Sequence, residues 1–92
     1  MSINTAFLLM AQYSGKAVIP LDHVCRDHFS HLSTQKFLQK VLAGDIAIPV
    51  VRIEQSQKSA KGIHLQDLAD YLDQRRSAAV KEHSQLHGSS ER

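Results

Sequence analysis

The sequence is poor in the residues that build covalent or metal-bound frameworks. Its 92 residues include one cysteine and no tryptophan, and aromatic residues make up 5%. A single thiol, Cys25, cannot form an intramolecular disulfide or supply a cysteine-based zinc site, which excludes a secreted disulfide scaffold and favours the cytoplasm. The few aromatic residues also argue against a stacking platform for single-stranded nucleic acid.

Membrane and catalytic signatures are missing as well. The apolar run at residues 6–11 is too short to span a bilayer, and no basic segment precedes it as in a signal peptide. The sequence has no glycine-rich phosphate loop and no serine or cysteine in a nucleophile motif. We therefore expect a protein that is not an enzyme, with no catalytic residue, no cofactor and no membrane association.

Six histidines raise the question of a metal site. Cys25 and His28 would share a helix face at i and i+3, and His31 is close in sequence. Structural zinc usually requires four thiol or imidazole ligands at recognisable spacing, so we do not expect a metal. His28 is better interpreted as a partly buried core residue, and Cys25 as a small buried apolar one.

The composition that is present belongs to a folded chain. Hydrophobic residues make up 42% and charged residues 22%, which together exclude wholesale disorder. The length suits one hydrophobic core. We expect one domain over residues 1–76, followed by a polar, mobile C-terminal extension at residues 77–92.

Hydrophobic periodicity predicts four helices, at residues 3–13, 21–28, 33–42 and 66–76. Asn4 or Thr5 can cap the first and Ser33 the third, while Gly15 and Gly44 provide stops. Residues 16–20 are predicted to be extended and residues 46–53 to form a half-buried strand, with a possible return at residues 63–64. The third helix buries Leu42 among others. The predicted core consists of Phe7, Val24, Phe37, Leu38, Leu68 and Leu72.

This order of elements predicts a mainly α fold with a small β-hairpin, a winged helix-turn-helix-like DNA-binding domain. The helices at 21–28 and 33–42 are joined by a short turn, and in this motif the second helix enters a major groove. A hairpin directly after that helix is typical of a wing. Its loop, residues 55–62, has no acidic residue. That composition tolerates a close phosphate backbone.

The candidate DNA contacts are amide, hydroxyl and basic side chains of the second helix and the hairpin. Lysines can contact phosphates, and a glutamine amide can pair with adenine in a bidentate way. The same residue types are also common on any solvated helix face. The candidates are Thr34, Gln35, Lys36, Gln39, Lys40, Arg52, Gln55, Gln57, Lys58, Ser59 and Lys61.

Two stretches, FLLMAQYSGKAVIPLDHVCRDHF and QKFLQKVLAGDIAIPVVRIEQSQKSAKGIHLQDLADYLDQRR, resemble the pyocin activator protein family. The resemblance covers residues 5–76 and is most specific at residues 49–70. It implies a transcriptional activator of phage-tail-like bacteriocin genes that binds a repeated promoter element. It also implies that a DNA-damage-sensitive repressor controls the regulator's own expression.

The expected partners are double-stranded promoter DNA and, for activation, RNA polymerase, with the acidic face Asp67, Asp70 and Asp73 as a candidate contact. One small domain buries limited DNA-contact area, so we expect a homodimer or a cooperative oligomer on DNA. Two alternatives remain open. The chain could be a protein-interaction module that acts on another regulator through residues 7–10, or an excisionase-like architectural protein that bends DNA.

Overall fold

The computed structural model describes residues 3–56 and 59–87. These residues form four helices and three short strands. In chain order they are α1 (Thr5–Gln12), β1 (Val18–Pro20), α2 (Leu21–His28), α3 (Thr34–Leu42), β2 (Val51–Arg52), β3 (Lys61–His64) and α4 (Leu65–His87).

Local side chains explain where α1 and α3 begin and end. The Asn4 side chain accepts a hydrogen bond from the Phe7 N–H (3.0 Å), and the Ser33 hydroxyl accepts one from the Lys36 N–H (3.2 Å). Asn4, not Thr5, is therefore the cap of α1. Gly15 (φ 76°) and Gly44 (φ 83°) follow the two helices in the left-handed region.

The strands form one antiparallel sheet in the order β1-β3-β2, so β3 is central. Ile19 pairs with Ile63 on one side, and Arg52 pairs with Lys61 on the other. Gly62 occupies the tightest point, because a Cβ atom there would lie 2.5 Å from the Ile19 carbonyl oxygen. The predicted hairpin is thus present, and β1 extends it to three strands.

The strand predicted at residues 46–53 is wrong over most of its length, since only Val51–Arg52 pairs. Ile46 and Ile48 are buried as the alternation required, but they pack on the core without joining the sheet. The Ile48 N–H donates to the Ile46 carbonyl (3.0 Å) in a tight turn, and Pro49 has no N–H to offer a ladder. Alternating burial here comes from packing, not from strand pairing.

The core lies between the sheet and the inner faces of the helices. Phe37, Ile19, Ile63, Leu68 and Val24 are its largest fully buried side chains. The Phe29 ring packs against Phe37 (4.9 Å between centroids) and Tyr71 (5.8 Å), which ties α2, α3 and α4 together.

Five of the six predicted core residues are confirmed: Val24, Phe37 and Leu68 are buried, and Leu38 and Leu72 are half-buried against the core. Phe7 is a wrong prediction, since 68% of it is exposed. α1 turns Leu9 and Tyr13 inward instead. Leu42, predicted in the buried stripe of α3, is 85% exposed because it occupies the last turn, beyond the packed part of the helix.

The closing helix is longer than the periodicity indicated. α4 continues to His87 instead of ending near Arg76. Its first turns bury Leu65, Leu68 and Ala69, whereas residues 73–87 are exposed throughout. The fold is therefore mostly helical with a small three-stranded antiparallel sheet. This architecture is compatible with a winged helix-like fold, and we call the β2-β3 hairpin the wing.

Candidate nucleic-acid interface

The outer face of α3 carries two strips of polar side chains. Gln35 and Gln39 are four residues apart, as are Lys36 and Lys40, so the amides form one strip and the ammonium groups the next. All four side chains are exposed. α3 contains no acidic residue, and its N-terminus adds the positive end of the helix dipole. The face can therefore donate hydrogen bonds to anionic and carbonyl groups.

Thr34 has a different position from the other α3 candidates. It is half-buried and faces the wing, where a shallow depression of about 360 Å³ separates α3 from the hairpin. Ser59 and Lys61 line the same depression from the hairpin side. Asp22, on α2, also lines it and brings a carboxylate that the sequence analysis did not link to this site.

A second depression, of about 280 Å³, lies beside the first toward the end of α3. Arg52 and Lys61 supply its basic groups, and Leu38, Val41 and Leu42 form its apolar wall. Lys61 therefore lies at the junction of both depressions. The structure brings together four predicted site residues: Thr34, Arg52, Ser59 and Lys61. Sequence reasoning missed the exposed Leu42 beside them, because its spacing matched the buried stripe.

Hydrogen bonds within the hairpin tie together the described residues at the two ends of the wing loop. The Ile53 N–H donates to the Ala60 carbonyl (3.0 Å) and extends the pairing of β2 with β3. The Ser59 hydroxyl donates to the Glu54 carbonyl (2.9 Å), and its N–H donates to the Ser56 carbonyl (3.1 Å). Ser59 thus positions the loop. Gln55 is exposed, while the candidates Gln57 and Lys58 lie outside the described residues.

A polar cluster away from the wing attaches α1 to α2. The Tyr13 hydroxyl donates to the Asp27 carboxylate (2.7 Å) and lies 3.1 Å from His28 Nε2. Hydrogen bonds from Arg26 and then from Tyr13 lower the pKa of Asp27 to about 2. Burial and the bond to Asp27 raise the pKa of Tyr13. Burial lowers the pKa of His28, and it raises that of Cys25.

These partners assign the cluster a structural role. His28 is half-buried and Cys25 is buried, as their positions in the sequence predicted. Arg26 is occupied by its bidentate contact with Asp27 (2.9 and 3.1 Å). Within residues 3–56 and 59–87, no three His, Cys, Asp or Glu side chains are grouped as a metal site would require.

The acidic face of α4 is partly engaged inside the molecule. Thr5 Oγ1 donates to Asp73 Oδ1 (2.5 Å), and Gln66 Nε2 donates to Asp70 Oδ1 (3.0 Å). Asp67 is half-buried in the first turn of the helix, where a negative charge complements the dipole. Of the three carboxylates, Asp73 has the clearest structural role, because its hydrogen bond with Thr5 holds the start of α1 against α4.

Comparison with known protein families identifies the family of this chain. The family model described as "Pyocin activator protein PrtN" matches residues 5–79, most of the chain. The chain belongs to the pyocin activator family. The match begins with α1 and ends inside α4, so it spans α2, α3, the wing and the whole buried core. Membership in the pyocin activator family makes the chain a regulator of pyocin genes.

Searches among curated proteins and among solved structures gave no significant match. In the described part of this pyocin activator family member, no helix is both long and apolar enough to cross a bilayer.

Proposed function

We propose that this protein is a sequence-specific, DNA-binding activator of pyocin genes, the phage-tail-like bacteriocin genes. In this proposal it acts in the cytoplasm and binds a repeated element in their promoters. The observation that carries the proposal is the meeting of α3 with the wing: Thr34, Ser59 and Lys61 line one depression between them, and Arg52 and Lys61 the next. Family membership supports the regulatory part of the proposal.

In the proposed complex, α3 lies in the major groove. Gln35 and Gln39 reach base edges, where an amide can both donate and accept hydrogen bonds. Lys36 and Lys40, on the adjacent strip, contact the phosphates along one wall of the groove. Thr34, near the helix N-terminus, faces the opposite wall. Exposure of the four longer side chains supports this docking, since none has to leave a packed position to reach DNA.

The wing takes the flanking backbone or the minor groove. Arg52 is exposed on β2, and Lys61 lies between the wing and α3, so both are within the same basic surface. Gln55, Gln57 and Lys58 complete that surface in the proposal. Ser59 is assigned to hold the loop shape through its bonds to Glu54 and Ser56, with any phosphate contact secondary. For activation, Asp67 and Asp70 are the proposed contacts to RNA polymerase.

A mobility-shift titration on pyocin promoter DNA over a salt series tests the proposal. Each phosphate that a lysine neutralises contributes about −0.9 to the slope of log K against log salt. The double variant Lys36→Ala/Lys40→Ala is expected to flatten the slope by about two units and to weaken binding at low salt. The matched control, Lys16→Ala/Lys81→Ala, removes two exposed lysines from other parts of the surface and should leave the slope unchanged.

Equal slopes for the wild type, the α3 variant and the control would remove α3 from the interface. Absence of any salt-dependent binding by the wild type would overturn DNA binding itself and favour the protein-interaction alternative. Footprinting with the purified protein on the same promoter then gives the element and its repeat spacing.

A further inference from the structure

The distal half of α4 leaves the body of the protein without burying a side chain. Every residue from 73 to 87 is exposed, including Val80 (52%) and Leu86 (73%). An isolated helix of this length is marginal in water, because most helical stability in proteins comes from packing an apolar face. We therefore expect that another apolar surface packs against this segment and stabilises its helix.

A second unpartnered apolar surface lies where α4 leaves the body. Phe7 and Met10 are at i and i+3 of α1, so they share its outer face and are exposed, as is Ile3, which precedes the helix. The Thr5–Asp73 hydrogen bond sets the first turn of α1 beside the middle of α4. The Leu65 N–H donates to the Ala17 carbonyl (2.8 Å), so the chain that follows α1 meets the start of α4. α1 is therefore antiparallel to α4.

Three apolar residues of α4 are spaced at seven-residue intervals from the edge of the core to the end of the helix. Leu72, Ala79 and Leu86 repeat at one heptad position, which is the spacing of a coiled-coil seam. Leu72 is half-buried at the edge of the core, and Leu86 is exposed near the helix end. One continuous seam thus runs from the body to the tip of α4.

We propose that this seam pairs with the same seam of a second copy, antiparallel, about a two-fold axis at Ala79. In this register Leu72 faces the partner's Leu86, Ala79 faces the partner's Ala79, and Arg76 lies level with the partner's Glu82. The symmetric repeat gives a second Arg76–Glu82 pair. A parallel arrangement would instead set Arg76 against Arg76 and Glu82 against Glu82, so the charges select the antiparallel one.

The outer face of α1 stays outside this seam. Thr5 contacts Asp73 of α4, and Phe7, two residues further along, points to the opposite side of α1 and is exposed. The proposed interface therefore consists of the α4 seam alone.

The consequence for DNA rests on the proposed function: a two-fold dimer presents two α3 helices and matches an inverted pair of half-sites. Dimerisation itself is measured without DNA. If the dimer forms but no promoter binding is found, the proposed function fails and the interface stands. If promoter binding is found with a monomeric protein, the interface fails and the proposed function stands.

Sedimentation of the full chain over a concentration series tests the interface. The wild type is expected to be dimeric at micromolar concentration, and Leu86→Asp is expected to weaken the dimer on the order of tenfold or more, because it buries an unpaired charge. Ser84→Asp, on the opposite side of α4, is the matched control and should remain dimeric. A monomeric wild type, or equal weakening by both variants, would overturn the proposal.

Charge reversal tests the direction of pairing without altering the apolar seam. Arg76→Glu and Glu82→Arg should each weaken the dimer, and the double variant should restore it. In addition, Ala79→Cys should oxidise readily to a covalent dimer, because the two copies of residue 79 face each other. Ser84→Cys should not, because Ser84 lies on the opposite side of α4. The native Cys25 is buried and does not compete in this oxidation. Failure of the double variant to restore the dimer, together with no preference for Ala79→Cys, would overturn the antiparallel register.

Discussion

The two ends of the molecule differ in the chemistry of their surfaces. The α3–wing surface exposes amides, hydroxyls and basic groups, while the α1–α4 surface exposes Phe7, Met10, Val80 and Leu86. Water and phosphate oxygens can satisfy the polar side chains of the first surface, whereas exposed apolar side chains of the second kind favour a protein contact. The comparison teaches that one small core supports two surfaces suited to two kinds of partner.

The largest expected effect is on stability, and it distinguishes a phenylalanine of the core from an exposed phenylalanine of α1. Phe37→Ala removes a fully buried ring that packs on Phe29 and should cost about 3–5 kcal/mol of unfolding free energy. Phe7→Ala removes an exposed ring and should change that free energy by less than about 0.5 kcal/mol. Chemical denaturation of both variants, under conditions where the chain is monomeric, checks the contrast. A loss of stability for Phe7→Ala similar to that for Phe37→Ala would show that the Phe7 side chain packs in the core.

The wing lysines test whether the polar surface extends beyond α3. Lys58→Ala and Lys61→Ala should each weaken binding at all sequences and flatten the salt slope by about one unit. Lys16→Ala again serves as the control in the mobility-shift titration. Wild-type affinity and slope in both wing variants would confine the basic surface to α3.

A smaller effect is expected from Gln39, at the centre of the amide strip. Gln39→Ala should reduce discrimination among promoter variants by about 1–3 kcal/mol at one base position, since a bidentate amide contact is lost. The measurement compares dissociation constants over a set of single-base promoter substitutions, with Gln12→Ala on α1 as the control. A uniform loss over all sequences would make Gln39 a positioning residue.

The smallest effect concerns the cluster that joins the two surfaces through α1 and α2. Burial holds the pKa of His28 below its ordinary value in the folded protein, so near pH 6 the unfolded chain binds more protons there. Stability should therefore fall as the pH drops from about 6.5 toward the folded pKa. Thermal unfolding at pH 7.5 and 5.5 should show a smaller difference for His28→Gln than for the wild type. An unchanged difference would show that His28 does not contribute to it.

Acidification should produce a separate loss only at lower pH. The pKa of Asp27 is lowered from 3.8 to about 2 by its bonds from Arg26 and Tyr13. Its contribution is present above about pH 4 and is lost as the pH falls through that lower range. Asp27→Asn isolates this second step, because it leaves His28 able to titrate.

Local signals predicted the parts of the fold that depend on neighbouring residues. The Ser33 cap, the Gly44 stop and the buried Phe37 follow from a few residues each, and the structure has all three. Phe7 was mispredicted because residues 7–10 are all apolar, so periodicity alone could not choose the inward side. The end of α4 was missed because fading apolar periodicity is not a helix stop, and no glycine or proline occurs between Arg76 and His87.

The candidate site was likewise only partly predictable from the sequence. Composition predicted which side chains of α3 and the loop are polar and basic. The register of β2 with β3 then determines that Arg52, Ser59 and Lys61 face α3 together, and long-range pairing of that kind is not encoded in spacing. Whether these side chains contact DNA stays a prediction for the salt titrations.

The direct connection from His64 to Leu65 determines how α4 is anchored. β3 passes directly into α4 with no intervening loop, so the core packing of Ile63, Leu65 and Leu68 fixes the central strand and the start of the helix together. A helix of 23 residues is about 35 Å long. Residues 73–87 account for about 22 Å of that length, so most of α4 extends beyond the turns that pack in the core.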